Sequence, residues 1–234
     1  GARDFRPITL ASFILKGLER IVLWHKEQTI LKTNPLSKFQ HAFRSGGYSC
    51  DSALSKALDA IERAEADGKE LVVVGLDMKG AFDSVKSDSV VSALKKRKFA
   101  PWFIEWYEFF LRNRSITAEL GGEISTRFLS DGTPQGGVLS PVIWNIVFDE
   151  FLINANQMAG TELIAFADDG FAVISGCDSS ELQVRSLAFL QEAGTWSDNA
   201  GLTINASKTE LMHKGIEGPP LLTYKGTLIK YSEE

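Results

Sequence analysis

The stretch LIAFADDGFAVI (163–174) sets two adjacent carboxylates, Asp168 and Asp169, between apolar runs with strand character. Asp-Gly between such runs is a β-hairpin signal, because both residues tolerate the positive φ of tight turns, and on that reading 168–170 form a turn. One aspartate would serve a turn. A second beside it adds like-charge repulsion, which a cation between the groups offsets. A third carboxylate, Asp77, ends the apolar run LVVVGLD (71–77), where a strand-end aspartate can also cap the next turn. If that strand pairs beside the 163–174 hairpin, Asp77 lands next to Asp168 with no histidine or cysteine near. An all-oxygen set selects hard cations, Mg²⁺ or Mn²⁺. Two such ions ~4 Å apart stabilise the attacking and leaving oxygens of an in-line phosphoryl displacement. That chemistry polymerises nucleotides or cuts phosphodiesters, and the carboxylates alone do not choose.

The segment GTPQGGVLSP (132–141) adds a second constellation. Pro134, Gly136 and Gly137 shape an exposed loop open to close approach, and Gln135 projects a neutral amide from it. Such a loop suits a flat ligand, a base pair or a sugar; it also serves as a plain helix entry.

The elements that must position these groups follow from periodicity. Residues 8–31 carry helical apolar spacing, and 51–67 read as a helix capped by Asp51 and ended by Gly68. The continuous run 71–77 reads as a buried strand. Helices are expected at 86–98 and 101–112, split by Pro101, with a hairpin at 115–129 around Gly121-Gly122. A helix at 138–157, the 163–174 hairpin, a helix at 179–200, a short strand at 202–207 and a strand pair at 221–231 complete the series. This order predicts an α+β layer whose antiparallel sheet resembles a ferredoxin-like split βαβ.

Composition sets the bounds. The 234 residues suffice for one large domain or two packed ones, and 44% hydrophobic with 24% charged content is ordinary for a globular chain. Cys50 and Cys177, far apart, exclude a disulfide framework and a cysteine-based zinc site, and fit a reducing intracellular compartment, nucleus or cytoplasm. No apolar run reaches the ~18 residues of a membrane span and no signal peptide opens the sequence, so no membrane partner is expected. The net charge of −5 weighs against a uniform nucleic-acid footprint, but the first fifty residues are basic.

LDMKGAFDSV, TPQGGVLSP, FADD and GLTINASKTELM, in this order and spacing, resemble the reverse transcriptases, most of all those of non-LTR retrotransposons, with group II intron enzymes as relatives. FRPITL and FQHAFRSGGYSCDSAL resemble that family's finger motifs, so the resemblance runs from about residue 5 to about residue 214. It implies a right hand: fingers mostly in 1–75, a palm in 76–214 with 113–136 returning to the fingers, and a partial primer-grip-like hairpin in 215–234. It implies that Asp77 and Asp168 ligate two Mg²⁺ ions (Mn²⁺ as a substitute), with the Met78 carbonyl as an extra ligand and Asp169 supporting them. It makes Phe82 the gate against a ribose 2′-hydroxyl, and sets Gln135 and Gly136 against the incoming nucleotide. Arg6 becomes a triphosphate clamp, Lys208 the proton donor to pyrophosphate, and Arg44 a support of the template path. The implied reaction is RNA-templated DNA synthesis on an RNA template and DNA primer with dNTPs.

Three departures accompany this. Phe166 stands where most relatives carry tyrosine. The last segment, LLTYKGTLIKYSEE, only loosely resembles a primer grip, and neither a thumb nor an endonuclease domain is expected within the chain. Viral RNA-dependent RNA polymerases share the palm but usually hold the ribose with an aspartate at the Phe82 position; here Asp83 comes one residue late. The alternative reading is a domesticated or truncated polymerase-like domain that binds RNA or protein without catalysis.

Overall fold

The computed structural model describes residues 10–215 and 219–232. The Ser12 hydroxyl accepts the Leu15 N–H and starts α1 (Phe13–Gln28); α2 (Ile30–Thr33) follows. α3 (Cys50–Ala66) opens on a capping box. The cap falls on Ser49 rather than the expected Asp51, because Ser49 takes extended backbone and exchanges side-chain-to-backbone bonds with Ser52. β1 (Glu70–Leu76) and β2 (Met78–Lys79) lead into the short α4 (Ala81–Ser84). α5 (Ser87–Lys96) and α6 (Pro101–Arg112) come next, α6 with proline in its first turn, where no helical N–H is lost. β3 (Arg114–Leu120) and β4 (Glu123–Leu129) form a hairpin on Gly121-Gly122, both at positive φ. Then come α7 (Ser140–Ala155), β5 (Thr161–Phe166), β6 (Asp169–Gly176) and α8 (Ser179–Ala200). β7 (Thr203–Ile204), β8 (Glu210–Lys214), β9 (Thr223–Tyr224), β10 (Thr227–Leu228) and β11 (Lys230–Tyr231) close the series. None of the described helices is long and apolar enough to cross a membrane.

The chain divides into two compact units, Gly1–Pro35 with Gly80–Val147 and Leu36–Lys79 with Phe148–Glu234. The second holds a five-stranded sheet in the order β11-β8-β1-β6-β5, antiparallel except at the β8–β11 edge. Val72, Val74 and Leu76 alternate along β1 and are buried, and both α3 and α8 pack on the sheet. Phe148 and Phe151, in the later half of α7, lie 5.2 and 5.1 Å from the Trp196 ring of α8. Each such buried ring stabilises the unit by about 1.5–3 kcal/mol. The Asn156 side chain closes on β5, accepting from Leu163 N–H and donating to Leu163 C=O at 3.2 and 2.9 Å. The strand expected over 202–207 is extended only at β7, because the chain turns at Asn205 to bond Asp77. β8, which the sequence reading did not separate, then fills the sheet between β1 and β11.

In the first unit, Val90 and Leu94 of α5 and Phe103, Tyr107 and Leu111 of α6 are buried. The buried Lys26 ammonium of α1 sits over the Trp102 and Phe103 rings at 4.7 and 5.0 Å. The buried Glu19 carboxylate accepts the Val138 N–H at 2.9 Å, ahead of the start of α7. Segment 132–133 is pinned to α4 and its C-cap: Gly132 N–H donates to Val85 C=O at 2.8 Å and Thr133 N–H to Phe82 C=O at 2.6 Å. Gly132 has φ +78°, and a Cβ there would lie 2.5 Å from the Asp83 carbonyl oxygen. Gly132→Ala therefore incurs both backbone strain and a clash with main chain. Chemical denaturation should find it about 2–4 kcal/mol less stable than wild type.

Candidate active site

Strand register assembles the carboxylates. β1 and β6 pair antiparallel, ending at Leu76 opposite Gly170. Asp77 directly follows Leu76 and Asp169 directly precedes Gly170 at this end of the pair, and Phe166 of β5 pairs with Asp169. Asp77, Asp168 and Asp169 thus share one end of one sheet, as the sequence predicts. Asp77 and Asp168 are half-buried and Asp169 is exposed.

The turn itself sits one residue earlier than expected. The hairpin loop is Ala167-Asp168, while Asp169 and Gly170 are already strand. Its positive φ, 58°, falls on Ala167 rather than on a glycine. A left-handed alanine costs about 1–2 kcal/mol. The cost is offset by a side chain the sequence reading passed over: Gln40, fully buried, bonds both the N–H and the C=O of Ala167, each at 3.0 Å. Its neighbours lie along β5, with Ala165 N–H donating to Phe39 C=O and His41 N–H to Ala165 C=O, both at 2.8 Å. Arg44 binds the Leu36, Ser37 and Gln40 carbonyls and lies 4.1 Å from the Tyr48 ring. Its guanidinium therefore organises the loop that carries Gln40. His41 Nδ1 meets the Ser52 hydroxyl at 2.7 Å.

Asp77 is fixed from the other side. Asn205 Nδ2 donates to Asp77 Oδ2 at 2.8 Å, Asn205 N–H donates to the Asp77 carbonyl at 2.8 Å, and Asp77 N–H donates to Thr209 Oγ1 at 3.4 Å. Asn205 and Thr209 are both buried. The one sequence signal for them is the set of polar residues interrupting an apolar strand run in LTINASKT. Lys208 is exposed on the turn that follows Asn205, its N–H on the Asn205 carbonyl at 3.0 Å. Met78 is buried in β2, paired with Ile204.

Phe82, Gln135 and Gly136 belong to the first unit. The half-buried Phe82 ring lies 5.4 Å from Trp144. Gln135 Nε2 donates to Asp83 Oδ2 at 2.7 Å, and Gly136 is exposed at φ +104°. Arg6 lies outside the described residues.

The donor chemistry suits a hard divalent ion. Among the described residues no three His, Cys, Asp or Glu side chains are grouped to hold a metal. A Mg²⁺ site built from one or two carboxylates plus substrate phosphates needs no such cage. Asn205 engages Asp77 Oδ2 and leaves Oδ1 for a cation, and Asp168 supplies a second carboxylate at the same sheet end.

The fold is one found in telomerases. The structure of apo telomerase from Candida tropicalis, truncated from its C-terminal domain, matches at TM-score 0.66 and 13% identity, covering 91% of this chain and 43% of that one. Telomerase from Candida albicans in complex with a fragment of telomeric RNA matches at TM-score 0.59 and 14% identity, covering 92% and 37%. By sequence, residues 1–230 match the reverse transcriptase (RNA-dependent DNA polymerase) family, and the chain belongs to it. The Pol polyprotein of the type-1 retrotransposable element R1 of Bradysia coprophila is 28% identical over 235 residues, covering 99% of this chain and 23% of that protein. The RNA-directed DNA polymerase of the mobile element jockey of Drosophila funebris is 30% identical over 247 residues, covering 99% and 26%. The chain thus spans about a quarter of the length of these relatives.

His41 supplies a pH test of the loop that holds the turn. Burial first, then the Arg44 and Lys56 cations, keep its imidazole below the ordinary value of 6.5. The unfolded chain therefore takes up the proton first as pH falls. Stability from neutral His41 is full above the ordinary value and is lost as pH drops towards the folded one. Melting curves at about pH 7.5 and about pH 5.5 should show a drop in Tm that is a few degrees smaller in His41→Gln than in wild type.

Proposed function

We propose that this chain carries out RNA-templated DNA synthesis, transferring nucleotides from dNTPs to a primer 3′-hydroxyl by a two-metal-ion route in retrotransposition, inside the cell. The observation that carries the reading is the β1–β6 register, which brings Asp77, Asp168 and Asp169 to one sheet end. Membership of the reverse transcriptase family supports it, as does the fold shared with a telomerase whose structure includes telomeric RNA.

In this reading Asp77 and Asp168, with the Met78 carbonyl, would hold Mg²⁺ or Mn²⁺, and Asp169 adds negative charge beside them. When bound, the ions lower the pKa of the primer hydroxyl and neutralise the departing pyrophosphate. The other residues bind and orient. Asn205 keeps one oxygen of Asp77 turned to the protein and the other to the site. Phe82, braced by Trp144, packs under the sugar and excludes a 2′-hydroxyl. Gln135, held by Asp83, and Gly136 line the incoming nucleotide. Lys208 donates a proton to pyrophosphate, Arg6 clamps the triphosphate, and Arg44 steadies the template path through the loop it ties. The partners are an RNA template, a DNA primer and dNTPs.

The test is primer extension on primed RNA by the protein that carries this chain, with Mg²⁺ or Mn²⁺ titrated. Extension should require the metal and fall at least ~10³-fold in Asp168→Ala, the scale of losing a main electrostatic stabiliser. Extension at the wild-type rate by Asp168→Ala would refute the proposal. Phe82→Ala should narrow the preference for dNTPs over ribonucleotides by about 10-fold or more, read from the ratio of kcat/KM values.

A further inference from the structure

We propose that Gln40 is a positioning residue for Asp168 in the Ala167-Asp168 turn, acting through Ala167; the inference rests on the metal-site reading of that turn. Gln40 is fully buried, and its amide is used at both ends. Oε1 accepts from Ala167 N–H and from Ala42 N–H, each at 3.0 Å, and Nε2 donates to Ala167 C=O at 3.0 Å. A carboxamide carries one acceptor and one donor side by side, so it pairs with a single residue as a neighbouring strand would. Here it pairs with Ala167, the positive-φ residue of this two-residue loop. The loop has two residues, so the peptide planes of Ala167 set where the Cα–Cβ bond of Asp168 points. Gln40 reaches across 127 residues of sequence to fix them.

The frame behind Gln40 is rigid in the same sense. Its carbonyl accepts from Arg44 at 3.1 Å, and the flanking Phe39 and His41 backbone groups are bonded to Ala165. A side chain that merely filled the core would need neither the donor nor the acceptor. Methionine matches the shape of glutamine with neither group. Glutamate keeps the acceptor for the two N–H groups but loses the donor to Ala167 C=O. Asparagine is one methylene short.

The experiment compares wild type, Gln40→Met, Gln40→Glu and Asp168→Ala in the protein that carries this chain. Four quantities are read: Tm, amide hydrogen exchange at Ala167, Mn²⁺ affinity of the Asp168-dependent site by water-proton relaxation, and kcat and dNTP KM in primer extension. Gln40→Met removes three hydrogen bonds to backbone groups, so its Tm should fall by a few degrees while Ala167 exchange speeds up. Its Mn²⁺ affinity and its kcat should each fall about 10–100-fold, the range for a residue that orients a metal ligand, with KM for dNTP within about twofold. Gln40→Glu should move the same readouts in the same direction and less far, and it decides the matter if Gln40→Met does not fold. Wild-type Mn²⁺ affinity and kcat in the folded Gln40 variants, with Asp168→Ala inactive, would overturn this proposal alone. A fall in Tm with Mn²⁺ affinity unchanged would overturn it too, since that is the signature of a core residue. Asp168→Ala extending primers like wild type would overturn the functional reading and this inference with it.

Discussion

The pairing of β1 with β6 is the constraint from which the candidate site follows. Side chains along a strand alternate faces, so a slip of one residue would turn Val72, Val74 and Leu76 out of the core. A slip of two would restore burial but carry Asp77 about 7 Å along the sheet, away from the hairpin turn. Apolar burial and the β5–β6 hairpin therefore hold a register that the carboxylates need but do not themselves supply. Three like charges at one strand end favour nothing by themselves; the core beneath them keeps them together.

What the register leaves loose, side-chain amides tighten. Asn205 engages both the carboxylate and the main-chain carbonyl of Asp77, and Gln40 engages both polar groups of Ala167. A satisfied buried hydrogen bond adds about 1 kcal/mol net, while an orphaned buried partner costs about 1–3 kcal/mol. Such groups are therefore better at excluding wrong geometries than at adding stability. In the other unit the same logic recurs: the Gly132 and Thr133 main chain bonds Val85 and Phe82, and the Gln135 side chain reaches Asp83.

Much of the fold was legible because its long elements carry strong period. α8 falls on residues 179–200, as the sequence predicts, and β1, α6 and α7 lie within two residues of expectation. The hairpin was legible too, but its turn was not. Asp-Gly is the stronger local signal, and no local rule gives the left-handed position to Ala167 when a glycine stands nearby; a buried amide 127 residues away decides it. The carboxylates could be found because charge is conspicuous at the end of an apolar strand. Asn205 and Thr209 left only the weak signal of polar residues breaking an apolar run, and Gln40 left none, because their partners are distant in sequence and a polar residue in a loop reads as solvated. The same reason hid β8, whose place between β1 and β11 depends on tertiary pairing.

The Asn156 clamp on Leu163 has a counterpart at every second residue along β5 and into the turn that follows it. Thr161 N–H is bonded to Met158, Leu163 to Asn156, Ala165 to the backbone of Phe39 and His41, and Ala167 to Gln40. An edge strand ordinarily displays these outward groups as a template on which a foreign strand can add. Here they are used up within the molecule, partly by loops and partly by amides that imitate a strand. The far edge, β11, has only two residues. The sheet that carries the carboxylates thus offers little purchase for edge-to-edge aggregation, although it is open-ended and never closes into a barrel.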